Sequence, residues 1–397
     1  INMRYMELGG AERALLGLLN TFDTKRVDVD LFLNQHTGEF MPLIPKKINL
    51  LPEQKGYNAV ERPLKDIIKE GQWRVALKRL QAKWQHKQYL KYLSEDKRPY
   101  DSSVFQYVMD CVTPVFPSLH QLGEYDLAIS FLQPHNIVLD KVRAKWKICW
   151  IHTDYSTIHI NVEKELKVWS RFDNIVSISE ECTSAFLKLF PSLESKIIKI
   201  ENILSPKFVK EQADAETAVE IQDDNEFKIV SVGRICHQKN YDNIPYVAQQ
   251  LKKKGLRFQW FVVGPGSHSE IDHVLRVTDT EDVVHFLGSR RNPYPYMKAC
   301  DVYVQPSRYE GKSVTVREAQ ILCKPVVITD YPTAHSQVED QKDGIICDMD
   351  NDSIANAIFE LATDHEKQKR LSAYCSSHDF GNESEVEKIY QLIEDKQ

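Results

Sequence analysis

The chain has 397 residues, 42% of them hydrophobic and 27% charged, with a net charge of −6. That length suits two domains of ordinary size, each able to bury its own core, and the mild acidity argues against a protein that simply coats nucleic acid. No run of 18 apolar residues occurs, so no transmembrane helix is expected, and the expected location is cytoplasmic, at most peripheral on the inner face of the plasma membrane.

The chain opens on Ile1-Asn-Met-Arg-Tyr-Met-Glu-Leu-Gly9-Gly10-Ala-Glu-Arg13, which reads as the tail of a strand entering a glycine turn and a helix. The opening strand is expected to be cut short, with native residues upstream of Ile1. Strand-sized apolar runs follow at Val29–Leu33, Leu127–Phe131, Ile148–Ile151 and Ile175–Ile178, then at Lys228–Val232, Gln259–Val263, Val302–Gln305, Val326–Thr329 and Ile345–Cys347. They alternate with helical patterns, the signature of parallel βαβ construction. The stretch Gln212–Glu226 is acidic and poor in large apolar residues, and reads as a linker. Domains are therefore expected at 1–204 and 205–378, with a terminal segment 379–397 whose Ser384–Lys396 pattern is an amphipathic helix. Eight cysteines, at 111, 149, 182, 236, 300, 323, 347 and 375, form no CxxC pair and are expected as reduced thiols.

Within the first half, Trp73, Ala76, Leu77, Leu80 and Trp84 recur at helical spacing, while Arg74, Lys78, Arg79, Lys83, Lys87 and Lys91 supply six cations with no acid. A basic helix with tryptophans fits an anionic membrane surface. It fits equally a helix whose Trp73, Leu77, Leu80 and Trp84 pack on the core beneath a solvated basic face. Further on, His152 follows the run ending at Ile151, a place where a histidine is either structural or faces a ligand cleft; Ser179 ends the next run in the same way.

In the second half, Ile229-Val-Ser-Val-Gly233-Arg234-Ile-Cys-His-Gln-Lys239-Asn240 follows a strand and precedes a helix expected from about Tyr241 to Lys254. Gly233 lets a ligand approach the backbone, and Arg234 with Lys239 can straddle a diphosphate. A solvated basic loop is the plainer alternative. Gly264-Pro-Gly266 is another strand-end loop. Last comes Tyr309-Glu310-Gly-Lys312-Ser313-Val314-Thr-Val-Arg-Glu318-Ala319, which places two carboxylates and a helix start at one strand-to-helix junction. Ser313 is the expected N-cap, and the amides of the first turn suit a phosphate or sugar hydroxyls. Val314 and Glu318, four apart, are expected to share a face, so that Glu318 looks into the same crevice and can accept hydrogen bonds from a ribose diol. On spacing alone, Glu310 as an ordinary loop acid and Glu318 as a surface residue remain open. Asp28-Val-Asp30 and Asp348-Met-Asp350 mimic a metal-binding acid pair but read as surface acids.

Taken in order, Gly9-Gly10 before a helix, Ile-His152-Thr-Asp154, Val-Gly233-Arg234 with Gln238-Lys239-Asn240, His285-Phe-Leu-Gly288, Pro306-Ser-Arg-Tyr-Glu310-Gly311 and Glu318-Ala319 resemble a retaining glycosyltransferase of the group 1 (family 4) type. The resemblance covers nearly the whole chain and is strongest from about Phe227 to Asp348. It implies an α/β chain with the GT-B fold: two Rossmann-like parallel-sheet domains facing each other across a cleft, with the terminal helix crossing back to the first. The implied donor is a nucleotide-diphosphate sugar, UDP-linked, and the implied acceptor a glycan or lipid-linked saccharide, with no nucleic-acid partner, no cofactor and no essential metal.

The resemblance also assigns residues. Arg234 and Lys239 would hold the donor diphosphate, Glu318 the ribose hydroxyls, and Glu310 with the amides near Lys312, Ser313 and Val314 the donor sugar. His152 would contact that sugar from the first domain, the loop after Gly288 would flank the base, and Gly9 and Gly10 would line the cleft. In such enzymes the departing diphosphate takes the acceptor proton, so Glu310 is expected to bind rather than to act as a nucleophile. The family often has phenylalanine and glycine where this chain has Lys312 and Ser313. A hydrolysing nucleotide-sugar epimerase and a catalytically silent binding subunit share the fold and remain alternatives.

Overall fold

The computed structural model describes residues 1–94, 97, 101–221 and 225–394. The chain divides into two compact units, one of Ile1–Ile203 with the segment from Glu383 onward, the other of Leu204–Asn382. The fold is α/β, with one parallel sheet in each unit.

The first unit is built on β1 (Asn2–Met3), β2 (Asp30–Leu33), β3 (Asn49–Leu50), β4 (Glu124–Ser130), β5 (Arg143–Ile151), β6 (Asn174–Ser177) and β7 (Ile197–Lys199), in the spatial order β3-β2-β1-β4-β5-β6-β7. Ile148, Cys149, Trp150 and Ile151 are all buried, the continuous apolar run of a strand covered on both faces. The order reverses direction between β1 and β4, so the strand ends there open a crevice. The segment after Glu383 docks on this unit: Arg26 pairs with Glu387 and Glu394 at 2.9 Å each, and the Tyr390 hydroxyl accepts from the Asp23 amide at 2.8 Å. Its helix runs Glu387–Glu394 after a 3₁₀ turn at Glu383–Val386; the expected end at Lys396 lies outside the described residues.

The second unit contains β8 (Phe227–Val232), β9 (Phe258–Val263), β10 (Val284–Gly288), β11 (Val302–Gln305), β12 (Val326–Thr329) and β13 (Gly344–Cys347), ordered β10-β9-β8-β11-β12-β13. Here the order reverses between β8 and β11, whose Ile229 and Val230 pair with Val302 and Tyr303.

Two expectations need correction. Gln212–Ala215 are not linker but the last turn of the helix Pro206–Ala215, which Ser205 caps by accepting from the Phe208 amide at 3.3 Å. The acids that made this stretch look like a solvated linker are paired instead: Asp214 with Lys298, Glu216 with Arg291 and Glu220 with Arg290. Residues 222–224 of the expected linker lie outside the described residues. The second correction concerns the helix Trp73–Tyr92. Its core face is Val75, Ala76 and Ala82, while Trp73, Leu77, Leu80 and Trp84 are 49–62% exposed, so those four do not pack on the core. Small side chains let this helix lie close to its neighbours, and the large ones point away. Among the described residues no helix is long and apolar enough to cross a membrane.

Beneath the β4 and β5 ends lies a buried polar group. The His135 ring nitrogen Nδ1 sits 2.8 Å from the Ser130 hydroxyl, and its ring stacks edge-on against Trp169 at 4.5 Å. Burial, with a smaller contribution from neighbouring His152, pushes the His135 imidazole down to about 3. Nearby Glu165 accepts from the Trp169 indole at 2.8 Å and from Gln133 at 2.7 Å, and desolvation lifts its carboxyl to about 7.

These shifts act on stability with opposite signs. Folded His135 stays neutral where the unfolded chain takes a proton, so its contribution is complete above about pH 6.5 and is lost as the pH falls toward 3. The contribution of Glu165 is complete below about pH 4.5 and fades as the pH rises through 7. Between about pH 6 and 4, His135 should therefore remove on the order of 1 kcal/mol of unfolding free energy per pH unit. Urea unfolding of the wild type and of His135→Asn across that range should give a shallower acid slope in the variant. Equal slopes would clear His135 of the effect.

Candidate functional site

The loop that follows β8 is shaped by close backbone approach. The Gly233 amide donates to the Val263 carbonyl at 2.9 Å, Ile235 to Pro265 at 2.8 Å, and Gly264 to Gly288 at 3.0 Å, so the ends of β8, β9 and β10 abut. Gly264 has φ +155°, and a Cβ there would lie 2.0 Å from the Gly233 carbonyl oxygen. At Gly233 a Cβ would stand 2.9 Å from the Tyr241 hydroxyl and 3.1 Å from Lys239 Cε. The missing side chain is the room into which the Lys239 stem folds.

Lys239 crosses to the loop that follows β11. Its Nζ lies 2.7 Å from Glu310 Oε1, and the two side chains are only 15% and 7% exposed. The same oxygen accepts from the Ser307 hydroxyl at 2.6 Å, Gln238 donates to Oε2 at 3.2 Å, and Gln305 supports Ser307 at 2.7 Å. Arg308 ties the same two loops together from the outside, donating from its amide to the Gln238 carbonyl at 2.8 Å and pairing with Asp242 at 2.7 Å. Glu310 is thus no ordinary loop acid, and Lys239 no solvated cation. Arg234 is exposed and, among the described residues, makes no ion pair.

Ser313 occupies the N-cap position of the helix Val314–Ile321, but its hydroxyl does not cap. It meets the Thr315 hydroxyl at 3.1 Å instead. What fixes this turn is Gln337, whose Oε1 accepts from the Ser313 amide at 3.0 Å while its Nε2 donates to the Ser313 carbonyl at 3.2 Å. The Tyr331 hydroxyl donates to the same Oε1 at 3.0 Å. The amides of the first helical turn are therefore not taken by the serine side chain, and they carry the positive end of the helix. Lys312 and Val314 beside it are exposed.

Glu318 was expected to share the crevice with Val314. It is completely buried, and Oε1 accepts from the Tyr294 hydroxyl at 2.7 Å. This excludes a surface role for the carboxylate. Gly288 takes a left-handed φ of +72° with open space where a side chain would stand.

The remaining residues of the expected site, Gly9, Gly10 and His152, belong to the first unit. Gly9 precedes the helix Gly10–Thr21, and a Cβ on it would fall 2.0 Å from Oε2 of buried Glu12, whose carboxyl is raised by desolvation. Gly10 has open space around it. His152 is half-buried, its ring 4.6 Å from Phe131, with Nε2 sequestered and the imidazole pushed down to about 3 by burial. It is a neutral hydrogen-bonding group and not a charge.

Other polar residues have local work. Ser179 caps the helix Glu180–Leu189, and Asp350 caps Asn351–Thr363. Asp30 accepts from Tyr125 and Asn49 at 2.7 Å each, so it is not a plain surface acid. All eight cysteines are unpaired. Among the described residues no cluster of three or more His, Cys, Asp or Glu stands ready to hold a metal ion.

Gly233, Arg234, Lys239, Glu310 and the Val314–Ile321 terminus thus gather where the strand order of the second unit reverses, the position at which open α/β sheets bind ligands. Residues 213–377 match the family model of glycosyl transferases group 1. This stretch is a group 1 glycosyltransferase domain. The chain is 25% identical over 221 residues to an uncharacterized glycosyltransferase of Haemophilus influenzae, covering 54% of this chain and 60% of that one. It is 28% identical over 182 residues to the UDP-Gal:alpha-D-GlcNAc-diphosphoundecaprenol alpha-1,3-galactosyltransferase of Escherichia coli, covering 43% and 46%. The matched stretches therefore span 60% and 46% of the length of these two relatives. The Anabaena HepE protein, crystallised with UDP and glucose, superposes with a TM-score of 0.65 at 15% identity over 99% of this chain and 98% of that one, a likeness of fold. The architecture is GT-B.

In the group 1 domain, Gln337 was invisible to sequence reasoning, since it acts on Ser313 from 24 residues away. Gln305 and Ser307 lay close enough to Glu310 in sequence to be suspected. Gln337→Ala would leave the buried Ser313 amide and carbonyl without partners, at a cost of about 1–3 kcal/mol. Chemical denaturation measures this; an unchanged midpoint would mean that water or another side chain replaces the clamp.

Proposed function

We propose that the protein is a glycosyltransferase that moves a sugar from a UDP-sugar to a glycan or lipid-linked saccharide, with retention of anomeric configuration. The observation that carries this reading is the Lys239–Glu310 pair at the strand reversal, beside the terminus of the helix Val314–Ile321. The relatives support the substrate classes: one is named for a UDP-galactose donor and a diphosphoundecaprenol-linked acceptor, and HepE was crystallised with UDP and glucose.

The chemistry asks little of the protein beyond charge and position. As the bond from the sugar's anomeric carbon to the β-phosphate oxygen breaks, its electron pair leaves with UDP. Arg234, Lys239 and the first-turn amides oppose that growing negative charge. The acceptor hydroxyl attacks from the same face and passes its proton to the departing phosphate. The residues so arranged need no metal for this. Glu310 acts by holding Lys239 in place and by accepting hydrogen bonds from sugar hydroxyls. Glu318, fixed by Tyr294, takes the ribose side of the nucleotide.

UDP at about 100 times its Kd should add roughly 2.7 kcal/mol of stability. A flat thermal-shift response to UDP and to UDP-sugars would sink the donor site. Glu310→Gln should lower transfer of radiolabelled sugar by about a hundredfold, the scale of losing one preorganised electrostatic contact. Transfer at the wild-type rate would remove Glu310 from the reaction. Product formation only in the presence of an acceptor separates transfer from epimerisation, which needs none.

A further inference from the structure

The helix Trp73–Tyr92 carries two apolar faces, and only one is used by the fold. Val75 and Ala82, on one side, are at most 5% exposed. At about 100° per residue, Trp73, Leu77, Leu80 and Trp84 fall within an arc of roughly 60° on the opposite side. All four are about half-exposed or more, with Trp84 the most open at 62%. The stripe extends about 16 Å along the helix, and Lys87 and Lys91 prolong it by two more turns.

The charge around this stripe has one sign. Arg74 and Lys78 flank it on one side and Lys83 on the other, and no acid occurs between Trp73 and Leu93. Arg79, the sixth cation, turns inward and donates to the carbonyls of Ala59 and Arg62, so it belongs to the fold. Among the described residues, none of the outward five is ion-paired; Lys78 reaches only the Gln81 amide at 2.8 Å. The Arg74 guanidinium lies 5.4 Å from the centroid of the Trp73 ring. An exposed apolar stripe rimmed by cations, in a chain of net charge −6, is a local feature that the overall composition works against.

We infer that this face docks on an anionic lipid bilayer. The helix lies in the plane of the interface: the tryptophan and leucine side chains enter the boundary between headgroups and acyl chains, and the lysine stems extend to lipid phosphates. Charge selects this occupant over a second copy of the chain, because a self-complementary contact would set the same cations against each other. The inference does not depend on the donor site, which lies in the other unit.

The test is flotation of the full chain with vesicles of phosphatidylcholine containing about one third phosphatidylglycerol, and with phosphatidylcholine alone. Binding is expected to the anionic vesicles at about 50 mM salt, to fall at least tenfold at about 1 M, where screening shortens the Debye length to about 3 Å, and to be weak on phosphatidylcholine. Trp73→Ser with Trp84→Ser, and separately Lys83→Glu with Lys87→Glu, should each weaken binding about tenfold or more. All four side chains are exposed, so both variants should keep the wild-type melting curve. No binding to anionic vesicles at low salt would overturn the inference. So would binding that neither variant changes, or a concentration-dependent dimer that Trp84→Ser dissolves.

Discussion

The carboxylate of Glu310 is the point on which the loops of the second unit converge. A carboxylate 7% exposed is unfavourable unless its charge is matched and its oxygens are hydrogen-bonded. Lys239 supplies the charge, Ser307 and Gln238 the hydrogen bonds, and these donors come from the loops after β8 and β11. The pair therefore welds together the two strand ends between which the sheet order reverses. Removing either partner leaves the other charge buried and unmatched, so the loops, and not only the site, depend on it.

Glycine makes that convergence sterically possible. Gly264 lets a neighbouring loop come within contact of the Gly233 carbonyl, and Gly233 itself clears the path of the Lys239 stem. The first unit solves a similar problem differently. There the polar groups below the strand ends, His135 and Glu165, are so buried that one is held neutral and the other is lifted toward neutrality. Charge is tolerated near the reversal of the second sheet because it is paired, and is suppressed near that of the first because it is not.

The strands were legible wherever they are central. Every apolar run expected from the sequence falls on an observed strand, with ends shifted by up to five residues, as where Ile148–Ile151 proves to be the end of Arg143–Ile151. Those missed, β3, β7 and β10, are sheet edges, where side chains are only partly buried and no continuous apolar run is required. Contacts distant in sequence were illegible for a different reason. A serine before a helix reads as a cap because local hydrogen bonds usually win, and nothing nearby announces that Gln337 will hold the Ser313 peptide at both ends. Helical spacing likewise could not tell the used face of Trp73–Tyr92 from the unused one. Small residues are better at letting a helix approach its neighbours than large ones, so the bulkier stripe was the outer stripe.

The same pair that organises the site also sets the terms on which an anion enters it. Lys239 is not a free charge awaiting a diphosphate, because Glu310 already satisfies it at 2.7 Å. An incoming phosphate gains less from such a lysine than from an unpaired one, yet the lysine loses no rotamer freedom in meeting it. Arg234 has the converse character, exposed and unpaired among the described residues, with more attraction to give and more freedom to lose. The two cations near Gly233 thus differ physically: one is fixed in position by its partner, the other is exposed and, among the described residues, makes no ion pair. In the proposed transfer, a glutamate that fixes the first would act on the leaving group without touching it.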